Sequence, residues 1–131
     1  MYRKSLQISE AEWQVMKVLW KKPGLSAAQV SVEVSKEKDW SDGTTRTYLR
    51  RLIDKGALRY EQDKSDGRIY YYYPAIREQE AVERESKSFL SRVARNNAGV
   101  VLASLIKSSD LSDKDITELE NILRQRRHPK K

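Results

Sequence analysis

Cysteine is absent from the sequence and histidine occurs once, at position 128. Disulfides, thiolate metal sites and cysteine nucleophiles are therefore excluded, and neither a metal nor a cofactor is expected. No apolar run approaches the ~18 residues of a membrane-spanning helix. The opening segment MYRKSLQIS lacks the apolar stretch of a signal peptide, so the expectation is a soluble, cytoplasmic protein. Hydrophobic residues make up only 38% of the chain and phenylalanine occurs once, so any core is modest. Proline (3) and glycine (5) are scarce enough to act as punctuation.

What the chain has in quantity is charge. Lys and Arg number 26 against 19 Asp and Glu, giving a net charge of +7 and a pI near 9.6. A balance of this kind favours a polyanionic partner. At 131 residues the chain suits one domain, or one small domain plus an accessory helical part. The informative stretch is Trp40–Gly56, WSDGTTRTYLRRLIDKG. Ser41 and Asp42 are helix caps, and Gly56 follows Lys55 where a left-handed residue ends a helix. Wound at helical pitch, Thr45, Tyr48, Leu49, Leu52 and Ile53 gather on one side. Gly43, Thr44, Arg46, Thr47, Arg50 and Arg51 take the rest of the surface, where hydroxyls and guanidiniums suit base edges and phosphates.

Two helices are expected before it. Ser9 and Glu12 form a capping box stapled by Ile8 and Trp13, opening a helix to about Lys22 that buries Trp13, Met16, Leu19 and Trp20. Pro23-Gly24 stops it. Ser26 with Gln29 and Leu25 with Val30 repeat the pattern for a second helix, which frays in the charged segment 36–39. Helix, turn, helix, loop and a basic helix follow the order of a helix-turn-helix unit. After Gly56 the period falls to two: Leu58–Gln62 and Arg68–Tyr73 read as strands, joined by a segment holding the hairpin signal Asp66-Gly67. Such a hairpin is a wing, with Lys64 and Arg68 at its tip to meet a phosphate backbone. The tyrosine run also permits a stacking platform for single strands. In the bland alternative Ile69, Tyr71 and Tyr73 pack on the helices. Pro74 ends the sheet.

The remainder reads as helical: 76–95 with sparse apolar residues, then Ala98–Lys107 after a break at Asn96-Asn97 that can cap it, then a helix capped by Ser112. About 55 residues with so few large apolar side chains make a marginal independent fold; pairing with a second copy accounts for them best, the alternative being that they fold back onto the first domain of the same chain. The expected interface takes Phe89, Leu90 and Val93 from the first helix, Val101, Leu102 and Leu105 from the second, and Ile116, Leu119, Ile122 and Leu123 from the third. The expected architecture is mostly α with a small β-hairpin wing. A winged helix-turn-helix occupies 1–75, a helical dimerisation region 76–126 and a disordered basic tail 127–131.

ISEAEWQVMKVLW, KDWSDGTTRTYLRRLIDKG, GRIYYYYP and DLSDKDITELENIL resemble, in this order and over nearly the whole chain, the penicillinase repressor family of BlaI, MecI and CopY types. The resemblance implies a homodimeric repressor that occupies an inverted-repeat operator in double-stranded DNA, with the third helix in the major groove. Thr44, Arg46 and Thr47 match its DNA-contacting positions, with Arg51 near the backbone. Gly43 stands where some members carry lysine. Copper-type members end in a Cys-x-Cys motif that this chain lacks. β-Lactam-type members are inactivated by cleavage at an Asn-Phe bond, and the matching pair here is Ser104-Leu105. The inactivating signal, a protease or another, stays open.

Within this reading Ser41, Arg50, Arg51, Lys64 and Arg68 contact phosphates, while Arg46 reads a base by donating two bonds to guanine. A winged-helix protein-interaction module is the rival; it would tolerate loss of Arg46, Arg50 and Arg51. Catalysis is disfavoured, because the carboxylate pairs Glu78/Glu80 and Asp113/Asp115 sit on highly charged, solvated helices with no histidine, cysteine or glycine-rich phosphate loop nearby.

Overall fold

The computed structural model describes residues 7–128. Its elements are α1 (Glu10–Lys21), β1 (Leu25–Ser26), α2 (Ala27–Ser35), α3 (Asp42–Asp54), β2 (Leu58–Gln62), β3 (Tyr70–Pro74), α4 (Glu78–Val93), α5 (Ala98–Ser108) and α6 (Asp113–Arg127). The chain forms two compact units, Met1–Ser86 and Lys87–Lys131, with the division inside α4.

The helices of the first unit begin where local chemistry dictates. Both capping boxes form: Ser9 and Ser26 accept from the N–H groups of Glu12 and Gln29, whose side chains accept in return. Ser41 caps α3 alone. At its other end Gly56 takes φ +80°, the Gly56 N–H reaches the Ile53 carbonyl at 3.0 Å and the Ala57 N–H the Leu52 carbonyl at 2.9 Å. This is the paired closure that a left-handed glycine permits.

Val15, Met16 and Leu19 of α1, Val30 and Val34 of α2, Leu49 and Leu52 of α3 and Leu58 of β2 make one buried cluster. Each such side chain stabilises the fold by about 1.5–3 kcal/mol over its exposed state. Trp13 and Trp20, expected in the core, are instead half-buried and pack edge to face at 5.4 Å. Their bulk suits a rim where the Trp20 indole N–H donates to the Ile76 carbonyl at 2.9 Å. Ile76 and Ala81 also belong to the cluster. The core thus draws on residues beyond the expected boundary at 75.

The sheet differs from the sequence expectation in three ways. It has three antiparallel strands, ordered β1-β3-β2. The added strand is the two residues before α2: Ser26 has the extended backbone of an N-cap (φ −75°, ψ 167°), so Leu25 and Ser26 are already shaped to pair with Tyr72 and Tyr71. Second, the parity of the tyrosines is reversed. Buried Leu58 fixes the inward face of β2, and the register pairs Tyr60 with Tyr72, so Tyr72 packs on the core. Tyr71 and Tyr73 lie on the opposite face, and Ile69 precedes β3 and is exposed. Third, Gly67 does not take positive φ, so the wing tip is not the tight Asp-Gly turn. The Asp63 carboxylate organises the tip instead, accepting from the N–H groups of Ser65 and Asp66 at 2.9 Å and from the Tyr71 hydroxyl at 2.8 Å.

In the second unit, α5 and α6 bury no residue. Ser112 and Asp115 form a third capping box, whereas Asn97 stands at the α5 N-cap without a side-chain bond. Phe89, Leu90, Val101 and Leu119 are half-buried; Val93, Leu102, Leu105, Ile116, Ile122 and Leu123 are exposed, as is Ser104. α6 continues through Arg127, so part of the expected basic tail is helical. Residues 129–131 of that tail lie outside the described residues.

Candidate nucleic-acid interface

The first turn of α3 is held from two directions. Ser41 Oγ accepts from the Thr44 N–H at 3.1 Å and shares a second bond of 3.0 Å with Thr44 Oγ1. The Ser31 hydroxyl on α2 donates to Asp42 Oδ1 at 2.5 Å. Ser41, expected on a phosphate, is therefore first a cap. Its hydroxyl is occupied by the helix while its side chain stays exposed. One turn on, the Thr47 hydroxyl donates to the Gly43 carbonyl at 3.0 Å, which leaves its methyl group as the outward apolar contact. Gly43 has room for a side chain, since an added Cβ would meet only Ser41 Oγ at 3.8 Å.

Arg46, Thr47, Arg50 and Arg51 are exposed along α3, and Thr44 is half-buried. None of the three arginines forms an ion pair among the described residues. Arg51 lies 5.9 Å from the Tyr48 ring, which leans on Trp40 at 4.9 Å. The inner side of α3 is buried through Thr45, Leu49 and Leu52, as its periodicity requires.

Arg46 and Arg50 face a groove of about 500 Å³ between α3, the start of α2 and the wing. Arg68, Tyr60, Tyr70 and Tyr72 line the other side. Tyr60 and Tyr70 stack at 4.5 Å with their planes 22° apart. Burial raises the Tyr72 pKa, with Arg46 and Arg50 acting against that rise. Three of the residues expected at the interface, Arg46, Arg50 and Arg68, thus share one groove, while Thr44, Thr47 and Arg51 lie elsewhere on α3 and Ser41 at its N-cap. Lys64 is exposed at the wing tip, without an ion pair among the described residues.

Arg68 departs from the free phosphate ligand expected of it. Its Nε and one terminal nitrogen donate to the two carboxylate oxygens of Asp66, each at 3.0 Å. The tyrosines on the groove were missed as interface residues. The parity of Leu58 would have placed Tyr60 on that side, but the matching face of β3 follows only from the inter-strand register.

A model of the penicillinase repressor family matches residues 8–125. The chain is 38% identical over 129 residues to the penicillinase repressor of Bacillus licheniformis, covering 98% of each chain. It is 35% identical over 126 residues to the methicillin resistance regulatory protein MecI of Staphylococcus aureus (strain N315), covering 96% of this chain and all of that one. Among solved structures, the DNA-binding domain of the repressor BlaI matches with a TM-score of 0.51 and 44% identity, over 60% of this chain and 90% of that one.

Proposed function

The chain belongs to the penicillinase repressor family, and on that premise we propose that it represses transcription as a homodimer bound to an inverted-repeat operator. The observation that carries this reading is the face of α3: three exposed arginines, interleaved with threonines and unpaired among the described residues, on a helix whose other side is buried. Arg46 reads a base edge, Thr47 offers a methyl group to a thymine or the duplex backbone, and Arg50, Arg51 and Lys64 hold phosphates. Two copies of α3 reach successive half-sites because the second units pair. Such a protein works in the cytoplasm, where its operator is. The relief of repression comes from a protease or another inactivating signal, with the Ser104-Leu105 segment of α5 the position that a protease would cut.

Footprinting on the promoter of its own gene should protect two related half-sites. On that duplex we expect Arg46→Ala to weaken binding by about 1–3 kcal/mol while leaving random DNA nearly unaffected. Equal losses on both would reduce Arg46 to a phosphate contact. Absence of any protected site, with no preference among promoter fragments, would remove the repressor reading and favour a protein-interaction role.

A further inference from the structure

The wing tip is electrically balanced, which its sequence position as a DNA-facing element does not lead one to expect. Asp63 and Asp66 stand within it beside Lys64 and Arg68. The Asp66–Arg68 contact is side-on: Nε to Oδ1 and a terminal nitrogen to Oδ2, both at 3.0 Å, with the Arg68 backbone N–H on Oδ1 at 3.0 Å as well. The aspartate is not a loose partner. Its own N–H is fixed to the Asp63 carboxylate at 2.9 Å. A guanidinium has five N–H donors and this pairing uses two. The three that remain point away from Asp66, on a side chain that is 90% exposed.

We propose that Asp66 is a specificity-determining residue, which cancels the charge of Arg68 towards random DNA and leaves it only a fixed outer edge of donors for one correctly placed acceptor. This rests on the DNA-binding reading. Affinity for random duplex comes almost wholly from unpaired cations that displace counterions, irrespective of geometry. A cation held against its own carboxylate contributes little to that term. Directed hydrogen bonds from the outer edge survive the pairing, and they count only where the wing meets the duplex in one orientation. Asp66 thus lowers the background without an equal loss at the operator. The aspartate is ionised wherever binding would be measured, because its bonds from Arg68 hold its carboxyl below the ordinary aspartate range.

The test uses the full chain carrying Asp66→Asn, titrated against operator and random duplexes at several salt concentrations. Asparagine keeps an oxygen for the Arg68 N–H and the N–H for Asp63, so the tip is retained. On random DNA the log–log salt slope should steepen by about 0.9 per protomer, equivalent to about a threefold greater loss between about 50 and about 200 mM salt. At low salt random DNA should bind more tightly, and the operator-to-random ratio should fall. The same change in an Arg68→Gln background should leave that ratio where Arg68→Gln alone puts it. Parallel weakening on both duplexes, or an unchanged slope, would overturn the proposal, as would a ratio that falls equally without Arg68. A wild-type chain with no operator preference would fail the repressor reading itself, and this inference with it; wild-type preference with an unresponsive Asp66→Asn fails the inference alone.

Discussion

Thr45 and Thr47 sit two positions apart on α3 and meet opposite fates. Thr47 is exposed and satisfies its hydroxyl on the Gly43 carbonyl, whereas Thr45 Oγ1 is fully buried with no hydrogen-bond partner among the described residues. A buried hydroxyl without a partner costs about 1–3 kcal/mol, and valine has nearly the same shape. We expect Thr45→Val to raise the stability of the first unit by about 1 kcal/mol, read from the urea midpoint, with operator affinity unchanged. A destabilised variant would mean that the hydroxyl is bonded in solution. Glu12 shows the other solution to burial. It is 1% exposed, yet its carboxylate accepts from the Ser9 N–H and from the Lys55 ammonium, which also reaches the Gln7 carbonyl at 2.6 Å. One carboxylate serves as helix cap and as a link between α1 and the end of α3. Only the first role could be read locally, because its partner lies three residues away, while Lys55 is 43 residues distant.

At the scale of the element, the wing is sensitive to acid. The Tyr71 hydroxyl, followed by the N–H groups of Asp66 and Ser65, bonds the ionised form of Asp63 and draws its pKa below the ordinary aspartate range. A depressed folded value means the contribution is complete above the unfolded carboxylate range and is lost as pH falls through the lowered value. Amide protection at Ser65 and Asp66 should therefore decline in that acid window, and Asp63→Asn should show weakened protection already at neutral pH. Unaltered exchange in the variant would show that the tip holds without this carboxylate. The wing also marks the limit of what the sequence discloses. The hairpin and the bounds of β2 were legible from period-two patterning, and helix starts were legible from Ser9, Ser26, Ser41 and Ser112, since caps act over three residues. The inward face of Tyr72 depends on the register between β2 and β3, and the existence of β1 on pairing between segments more than 40 residues apart in sequence. For Arg68 the expected partner was a phosphate, and its pairing with Asp66 rests on turn geometry that Gly67 alone does not disclose.

For the whole molecule, the division of labour is set by where apolar surface is spent. The first unit closes its core with Ile76 and Ala81, so a fragment ending at Pro74 would lose core residues and the Trp20 bond to Ile76; one ending at Ser86 keeps them. The second unit leaves Leu105, Ile122 and Leu123 exposed, the last at 63%. Apolar side chains so arrayed suit a subunit interface. We expect Leu123→Glu to shift the full chain towards monomer in sedimentation and to weaken operator binding without loss of helix content. Persistence of the dimer would place its interface elsewhere. The fastening of α3 at both extremities, by Ser31 on Asp42 and by Glu12 on Lys55, has a kinetic corollary. A rod clamped in this way arrives at its target already in shape, so docking demands little ordering of the chain. Changes of operator base should then register in how long the complex lasts, and far less in how often it forms.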